Sequence, residues 1–333
     1  MPSLLVTGQT GIREDLSDLI AVADAKACPV VTMAKKGAEP INPLFQWQVD
    51  AYDAPSFSGV MSNADVTSFE NKALNRQKLY GRIQKFRRAP GVDDIAANVT
   101  EVAGVGKRQE MSRSVRKALE ELKRDMESAF CSDTDSQDQT TNLPYRTRGL
   151  GVWIQATAQT DLPVPSAYRT PAASIYTTAG DPSETNVQAL LQSLYEQSGR
   201  KVVYSLVCGP TLRRAFTAMT RTQFGSTNVA SAVRVFNQDI KDATYTSTID
   251  VFEGDFGDLE LVDSLFLARD ASAATQTRRG YVLPMDKIEL RYNRRPRFMP
   301  LEDQGGGPRG IVDAIAGLAV QNPLELGAFK HTS

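Results

Sequence analysis

The chain has 333 residues, 41% hydrophobic and 23% charged, a globular make-up large enough for one sizeable domain or two to three smaller ones. Its 38 Lys and Arg balance 39 Asp and Glu, so it lacks the cationic excess that a dedicated DNA or RNA binder uses to displace counterions. One histidine, His331, and three scattered cysteines, Cys28, Cys131 and Cys208, exclude a Ser-His-Asp triad, a Cys-His dyad, a multi-histidine metal site and a cysteine zinc module.

No apolar run approaches the ~18 to 20 residues of a membrane span, and the N-terminus lacks the basic start and apolar stretch of a signal peptide. No cofactor, metal or membrane partner is expected. The three cysteines, far apart and without CxxC spacing, fit synthesis in a reducing, intracellular compartment.

The first motif, Val6 to Ile12 (VTGQTGI), is similar to the glycine-rich turn of dinucleotide-binding folds. Glu14 stands where the third glycine belongs and would set a carboxylate against the pyrophosphate. Almost no first strand precedes the turn, and no YxxxK pair follows it. The nucleotide-dependent oxidoreductase reading is therefore set aside for a flexible N-terminal arm. Leu16, Leu19, Ile20 and Ala23 then predict a short amphipathic helix over Arg13 to Ala25.

Phe45, Trp47 and Val49 alternate with Gln46, Gln48 and Asp50, the period of a half-buried strand. Ala51 to Val92 lacks the apolar content to bury itself, so it is a mobile loop or an extended hairpin that lies on something else. Within it, KLYGRIQKFRR reads as a solvated strand. Asn71 to Val92 carries Lys72, Arg76, Lys78, Arg82, Lys85, Arg87 and Arg88 and no acid. A solvated face is the plain reading of that run, contact with an acidic neighbouring subunit the next, and nucleic acid the last.

From Lys107 to Cys131, Met111, Val115, Ala118, Leu119, Leu122, Met126, Ala129 and Phe130 recur at steps of three and four, with no Gly or Pro. This predicts one helix about 35 to 40 Å long. Its polar row runs from Arg113 to Glu127, with Glu120 and Arg124 spaced to pair. Arg148 to Ile154 returns to a buried register around Trp153, and residues 155–182 are irregular.

Asp181 to Gly199 is punctuated as a helix, with Asp181 as N-cap, Pro182 in the first turn, Glu184 at the capping-box position and Gly199 as the stop. VVYSLVC (Val202 to Cys208) reads as a strand covered on both faces, and Gly209-Pro210 opens a helix through Met219. Residues 220–247 are polar and loop-rich, and Ser247 to Asp263 is a hairpin around GDFGD. Tyr281 to Phe298 holds a strand and a basic knot of Arg291, Arg294, Arg295 and Arg297; Gly305 to Pro308 is a hinge. The last segment, GIVDAIAGLAVQNPLELGAF, is apolar at both helical and strand spacing. Strands and helices do not alternate regularly, which predicts an α+β fold.

Five strings, REDLSDLI (Arg13 to Ile20), FQWQVDAY (Phe45 to Tyr52), ELKRDMESAF (Glu121 to Phe130), RGLGVWI (Arg148 to Ile154) and IDVFEGDFG (Ile249 to Gly257), occur in the order and at about the spacing of one family. In them the chain resembles the major capsid (major head) proteins of tailed bacteriophages, which have the HK97-like fold. The resemblance implies an N-terminal arm over 1–44, an extended loop over 45–92 lying on a neighbouring subunit, and a peripheral domain over 93–184 whose spine is the helix at 107–131. An axial domain over 185–285 follows, then a return of 286–333 to the peripheral domain, which favours strand there.

It further implies a self-assembling structural protein, not an enzyme. Pentamers and hexamers would form an icosahedral head around double-stranded DNA, located in the virion and assembled in the host cytoplasm. Scaffolding, portal and cement proteins are implied partners, and packaged DNA a weak, non-specific one. Trp47, Lys72, Arg76, Arg82 and Arg87 are the candidate inter-subunit contacts. Lys72 and Asn322 have the residue types by which some relatives cross-link, with no motif around them. An encapsulin-like compartment, carrying enzyme cargo in place of DNA, is the alternative within the same fold. The sequence departs from the family over Ser56 to Asp65, and residues 291–310 take no meaning from it.

Overall fold

The computed structural model describes residues 27–98, 101–102, 106–107, 109–223, 250–267, 273–302 and 305–330. The VTGQTGI motif, the Arg13 to Ala25 helix, His331 and nearly all of the polar stretch at 220–247 lie outside them.

In chain order, α1 (Pro29–Met33) and β1 (Lys35–Lys36) lead into β2 (Leu44–Val49), which pairs antiparallel with β3 (Gln77–Arg82). Next come β4 (Gln84–Arg88), α2 (Asp94–Asn98), the small pair β5 (Glu101–Val102) and β6 (Gly106–Lys107), and the long helix α3 (Glu110–Phe130). After α4 (Leu150–Trp153) and β7 (Ile175–Tyr176) stand α5 (Glu184–Ser198), β8 (Val202–Cys208), α6 (Pro210–Gln223), β9 (Val251–Glu253) and β10 (Gly257–Asp263). The chain continues through α7 (Ala273–Arg278), β11 (Gly280–Leu283), β12 (Ile288–Leu301), β13 (Arg309–Val320) and β14 (Gly327–Phe329).

Two sheets divide the strands. One has the order β1-β12-β13-β4, the other β7-β14-β11-β8-β10-β9. The helix α3 lies on the first. Ala118, Leu122, Met126 and Phe130, each four residues after the last, are buried in one core with Phe86 of β4 and Val312, Ala314, Ala316 and Leu318 of β13. Phe86 meets Phe130 edge-on at 5.9 Å. Val115 and Leu119 flank this stripe, half-buried. Each large apolar side chain so covered contributes roughly 1.5 to 3 kcal/mol, more than any ion pair on the opposite face.

The second core belongs to the six-stranded sheet. Val187, Leu190, Leu191 and Leu194 of α5 and Leu212 and Phe216 of α6 close over Tyr204, Leu206, Leu259, Leu261 and Phe329. The sheet is mixed: β8 and β10 are parallel, whereas β11 is antiparallel to both β8 and β14.

The mixture of helices and sheets is the α+β class expected, and several elements differ in detail from the sequence reading. KLYGRIQKFRR is not a solvated strand: Leu79 and Phe86 are core residues and Arg82 is buried, since one face of β3 and β4 packs inward. The N-cap of α5 is Ser183, not Asp181; its hydroxyl accepts the Asn186 N–H, while Gly199 takes the left-handed conformation (φ 66°) at the end. Gly305 to Pro308 belongs to the connection between the antiparallel partners β12 and β13. The final apolar segment is strand: β13 is nearly continuously buried, with α3 against one face and Phe45 beside Gly317 on the other, while the Thr147 hydroxyl accepts the Leu318 N–H at its edge.

On α3, Glu120 pairs with Lys123 (3.8 Å), not with Arg124, whose guanidinium lies 5.5 Å from the Phe266 ring centroid. Glu127 is not on the solvated row at all. It is fully buried, and its two carboxylate oxygens accept the Val30 N–H (3.0 Å) and the Val31 N–H (2.8 Å) of α1. Burial pushes its pKa from 4.5 up to about 7, against the lowering effect of those two amides. The Cys28 and Cys131 thiols adjoin it, and both are pushed up, Cys28 to about 11, chiefly by burial.

Candidate inter-subunit surface

The hairpin of β2 and β3 carries residues 50–76 away from both cores. At its root, Trp47 donates its indole N–H to the Val320 carbonyl (3.1 Å) and packs 5.9 Å from Trp153. Phe45 stacks beside Trp47 at 5.8 Å. The Arg291 guanidinium covers both rings, 5.2 Å from the Phe45 centroid and 5.4 Å from Trp47, and is held there by Glu289 (3.1 Å). Phe45 fits because Gly81 and Gly317 lie beneath it; a Cβ there would meet its ring at 2.5 and 2.8 Å.

Beyond the root the two arms are tied by polar rungs. Arg76 pairs with Asp50 (3.3 Å), and Asn75 donates to the Ala51 carbonyl (3.3 Å) and to Asp53 (2.7 Å). Lys72 bridges Asp53 (3.0 Å) and Glu70. The hydrogen bonds from Lys72 and Asn75 hold the Asp53 carboxyl below its usual range. Tyr168 buttresses the arm by donating its hydroxyl to the Asn75 carbonyl.

Around and past these rungs the segment is exposed throughout, and its large apolar side chains with it. Tyr52, Phe57, Val60, Met61, Val66 and Phe69 are each more than 70% exposed. Single apolar residues on a surface are ordinary, and these six all lie in one exposed loop. The sequence reading takes this stretch as polar and small. Its aromatics are visible there, but without a period to place them.

Of the five candidate contacts, Trp47, Lys72 and Arg76 hold the hairpin together within the chain. Arg82 is buried and paired with Asp161 (3.0 Å) and Asp138 (3.1 Å), and Ser136 donates to the same Asp161 (2.8 Å). Arg87 is exposed on β4, in register with Asp313 of β13, and has no ion pair among the described residues. Lys72 and Asn322 are not brought together by any contact: Asn322 caps its own turn, accepting the Leu324 N–H and donating to Glu325.

Among the described residues no group of three or more His, Cys, Asp or Glu could hold a metal ion, and no helix is long and apolar enough to cross a membrane. What the geometry offers is contact surface: a stem tied by polar side chains, an exposed loop carrying large apolar side chains, and a long helix braced on a sheet. These are features of a protein that works through its surfaces, and the fold they sit on is shared with solved capsid structures. A chain titled "Cyanophage A-1(L) capsid asymmetric unit" superposes with a TM-score of 0.65 at 12% identity, covering 96% of each chain. One from Gordonia phage Cozz gives 0.59 at 14% identity over 99% of each, and the capsid of a native GTA particle 0.58 at 11% over 98% of each. At such identities the likeness shows the fold, which is HK97-like. No curated protein matches the sequence.

A model of the SU10 major capsid protein family matches residues 5–333, and the chain belongs to that family. It is a structural capsid protein of the virion, not an enzyme, and it assembles with itself into the shell.

Proposed function

We propose that the subunit forms pentamers and hexamers that tile an icosahedral head around double-stranded DNA. The observation that carries this reading is the set of exposed large apolar side chains between Tyr52 and Phe69, on a stem tied by Arg76, Asn75 and Lys72, which nothing among the described residues covers. In this reading 45–92 is the extended loop that reaches a neighbour. The residues at 93–184, with α3 as spine, are the peripheral domain, 185–285 the axial domain, and 286–333 the return. Trp47, Lys72, Arg76 and Arg82 serve assembly by fixing the loop's direction, and Arg87 meets the neighbour itself. A scaffold, a portal and a cement protein are the expected helpers. DNA contact is weak, in keeping with a net charge of −1.

Sedimentation and negative-stain imaging of the expressed protein, alone and with its scaffold, test the reading. Rings, sheets or shells are expected. A monodisperse monomer in every condition would sink it. Particles that hold a cargo protein and no genome-length nucleic acid would move it to an encapsulin-like compartment.

A further inference from the structure

The two sheets end in surfaces of opposite charge. At the edge of the six-stranded sheet, residues 250–263 contain Asp250, Glu253, Asp255, Asp258, Glu260 and Asp263 and no basic residue. Arg213 serves Asp250 (2.6 Å) and Asp263 (3.4 Å), and Lys201 serves Asp258 (3.1 Å). Glu253, Asp255 and Glu260 are exposed and have no ion pair among the described residues. Moreover Glu253 of β9 sits directly across from Asp258 of β10, a like-charge cross-strand pair that costs the fold stability. β9 is also the outermost strand, with Val251 half exposed beside it.

The four-stranded sheet shows the reverse. Arg87 of β4, Asp313 of β13 and Arg297 of β12 stand in register across three strands. Asp313 is fully buried, and its Oδ2 is taken by Arg294 (3.1 Å) and Lys85 (3.7 Å). Arg87 and Arg297 remain exposed on either side, with no ion pair among the described residues. Four cations thus surround one carboxylate on the face turned away from α3, where Arg88 instead pairs with Asp125.

We infer that the acidic β9–β10 hairpin of one copy docks on the Arg87–Arg297 face of a second copy. The inference rests on the shell reading, because a closed ring needs two different, complementary surfaces on each subunit. The hairpin supplies the unpaired carboxylates, and the face supplies guanidinium groups that hold anions in a fixed planar geometry. A partner's arginines beside Glu253 would also relieve its opposition to Asp258. Nucleic acid is the poorer occupant, since 38 basic against 39 acidic residues leave the chain no cationic excess to displace counterions. Exposed ion pairs contribute little apiece, so the contact sets orientation and encounter rate more than total affinity.

The test is a charge exchange, read as the rate of particle formation by light scattering, with circular dichroism to confirm folding. Glu253→Lys with Asp255→Lys, or Arg87→Glu with Arg297→Glu, should each slow assembly about tenfold, and raised salt should slow the wild type. Combining the reversed hairpin with the reversed face in the same chain should restore the rate to within about threefold. If the face reversal does not fold, Arg87→Gln with Arg297→Gln takes its place and should slow assembly alone. A silent reversal, or a combined variant no faster than the slower parent, would overturn the docking while particles from the wild type leave the shell reading standing. DNA binding by the free subunit that is lost in Arg87→Glu with assembly unchanged would also overturn it. No particles from the wild type would remove both.

Discussion

Replacing Glu127 by Gln makes a test of how α1 is fastened to α3. In the folded chain this carboxyl has a pKa of about 7, against 4.5 for the free group. The folded state therefore binds a proton over the interval from about 4.5 to about 7 that the unfolded chain has released. Stability from this group is fully present below the unfolded value and is lost as pH rises through the folded one. Above pH 7 the accumulated loss is about 3 kcal/mol, because each pH step of one between the two values costs about 1.4 kcal/mol. The amide of Glu127→Gln cannot ionise, so that slope should vanish. The substitution has its own cost, because one amide oxygen must serve the two N–H groups of Val30 and Val31; an orphaned buried donor costs about 1 to 3 kcal/mol. The variant should thus be the weaker protein at pH 5 and draw level with or pass the wild type at pH 8. Urea unfolding of the unassembled subunit across that range, in reductant to keep Cys28 and Cys131 free, measures both curves. Parallel curves would refute the reasoning, since every other titrating group is common to the two proteins.

Leu122→Ala removes a fully buried side chain from the stripe of α3 and should cost about 2 to 5 kcal/mol, seen as a lower urea midpoint and a poor yield of shells. Ser183→Ala should cost about 1 kcal/mol through the lost cap of α5, measurable by thermal unfolding, whereas Asp181→Ala should be nearly silent. Phe57→Ser with Phe69→Ser should leave the stability of the free subunit within about 0.5 kcal/mol of the wild type, since both side chains are exposed, and still reduce particle yield in negative stain.

The elements most legible in the sequence are those whose stabilising contacts repeat along the chain. The steps from Ala118 to Phe130 place α3 to within three residues of its observed start, and VVYSLVC is β8 residue for residue. Elements defined by distant partners are hidden. Arg82 looks solvated until Asp161, 79 positions on, is folded against it. Glu127 reads as one more polar residue on a helix until Val30, 97 positions back, turns its amide toward it. Arg291 stands in a run with no local pattern because the rings it covers, Phe45 and Trp47, belong to the far end of the chain. For β13 the ambiguity is physical: with both faces covered, a strand loses the alternation that would distinguish it from a helix. At the candidate surface the basic residues are found, yet the exposed aromatic side chains are not, since an extended loop imposes no spacing on Tyr52, Phe57 and Phe69.

The strand β14 lies inside the six-stranded sheet, between β7 and β11, and β1 completes the other sheet by pairing with β12. Trp47 at the loop's root finds its carbonyl acceptor 273 residues later. A ribosome must therefore release the chain past residue 329 before the six-stranded sheet can close, and contacts of such separation form slowly. Until then the unpaired edges of β7 and β11 and the apolar loop coexist on one nascent molecule. A polypeptide cut short of Gly327 lacks β14 and cannot join β7 to β11 in the six-stranded sheet.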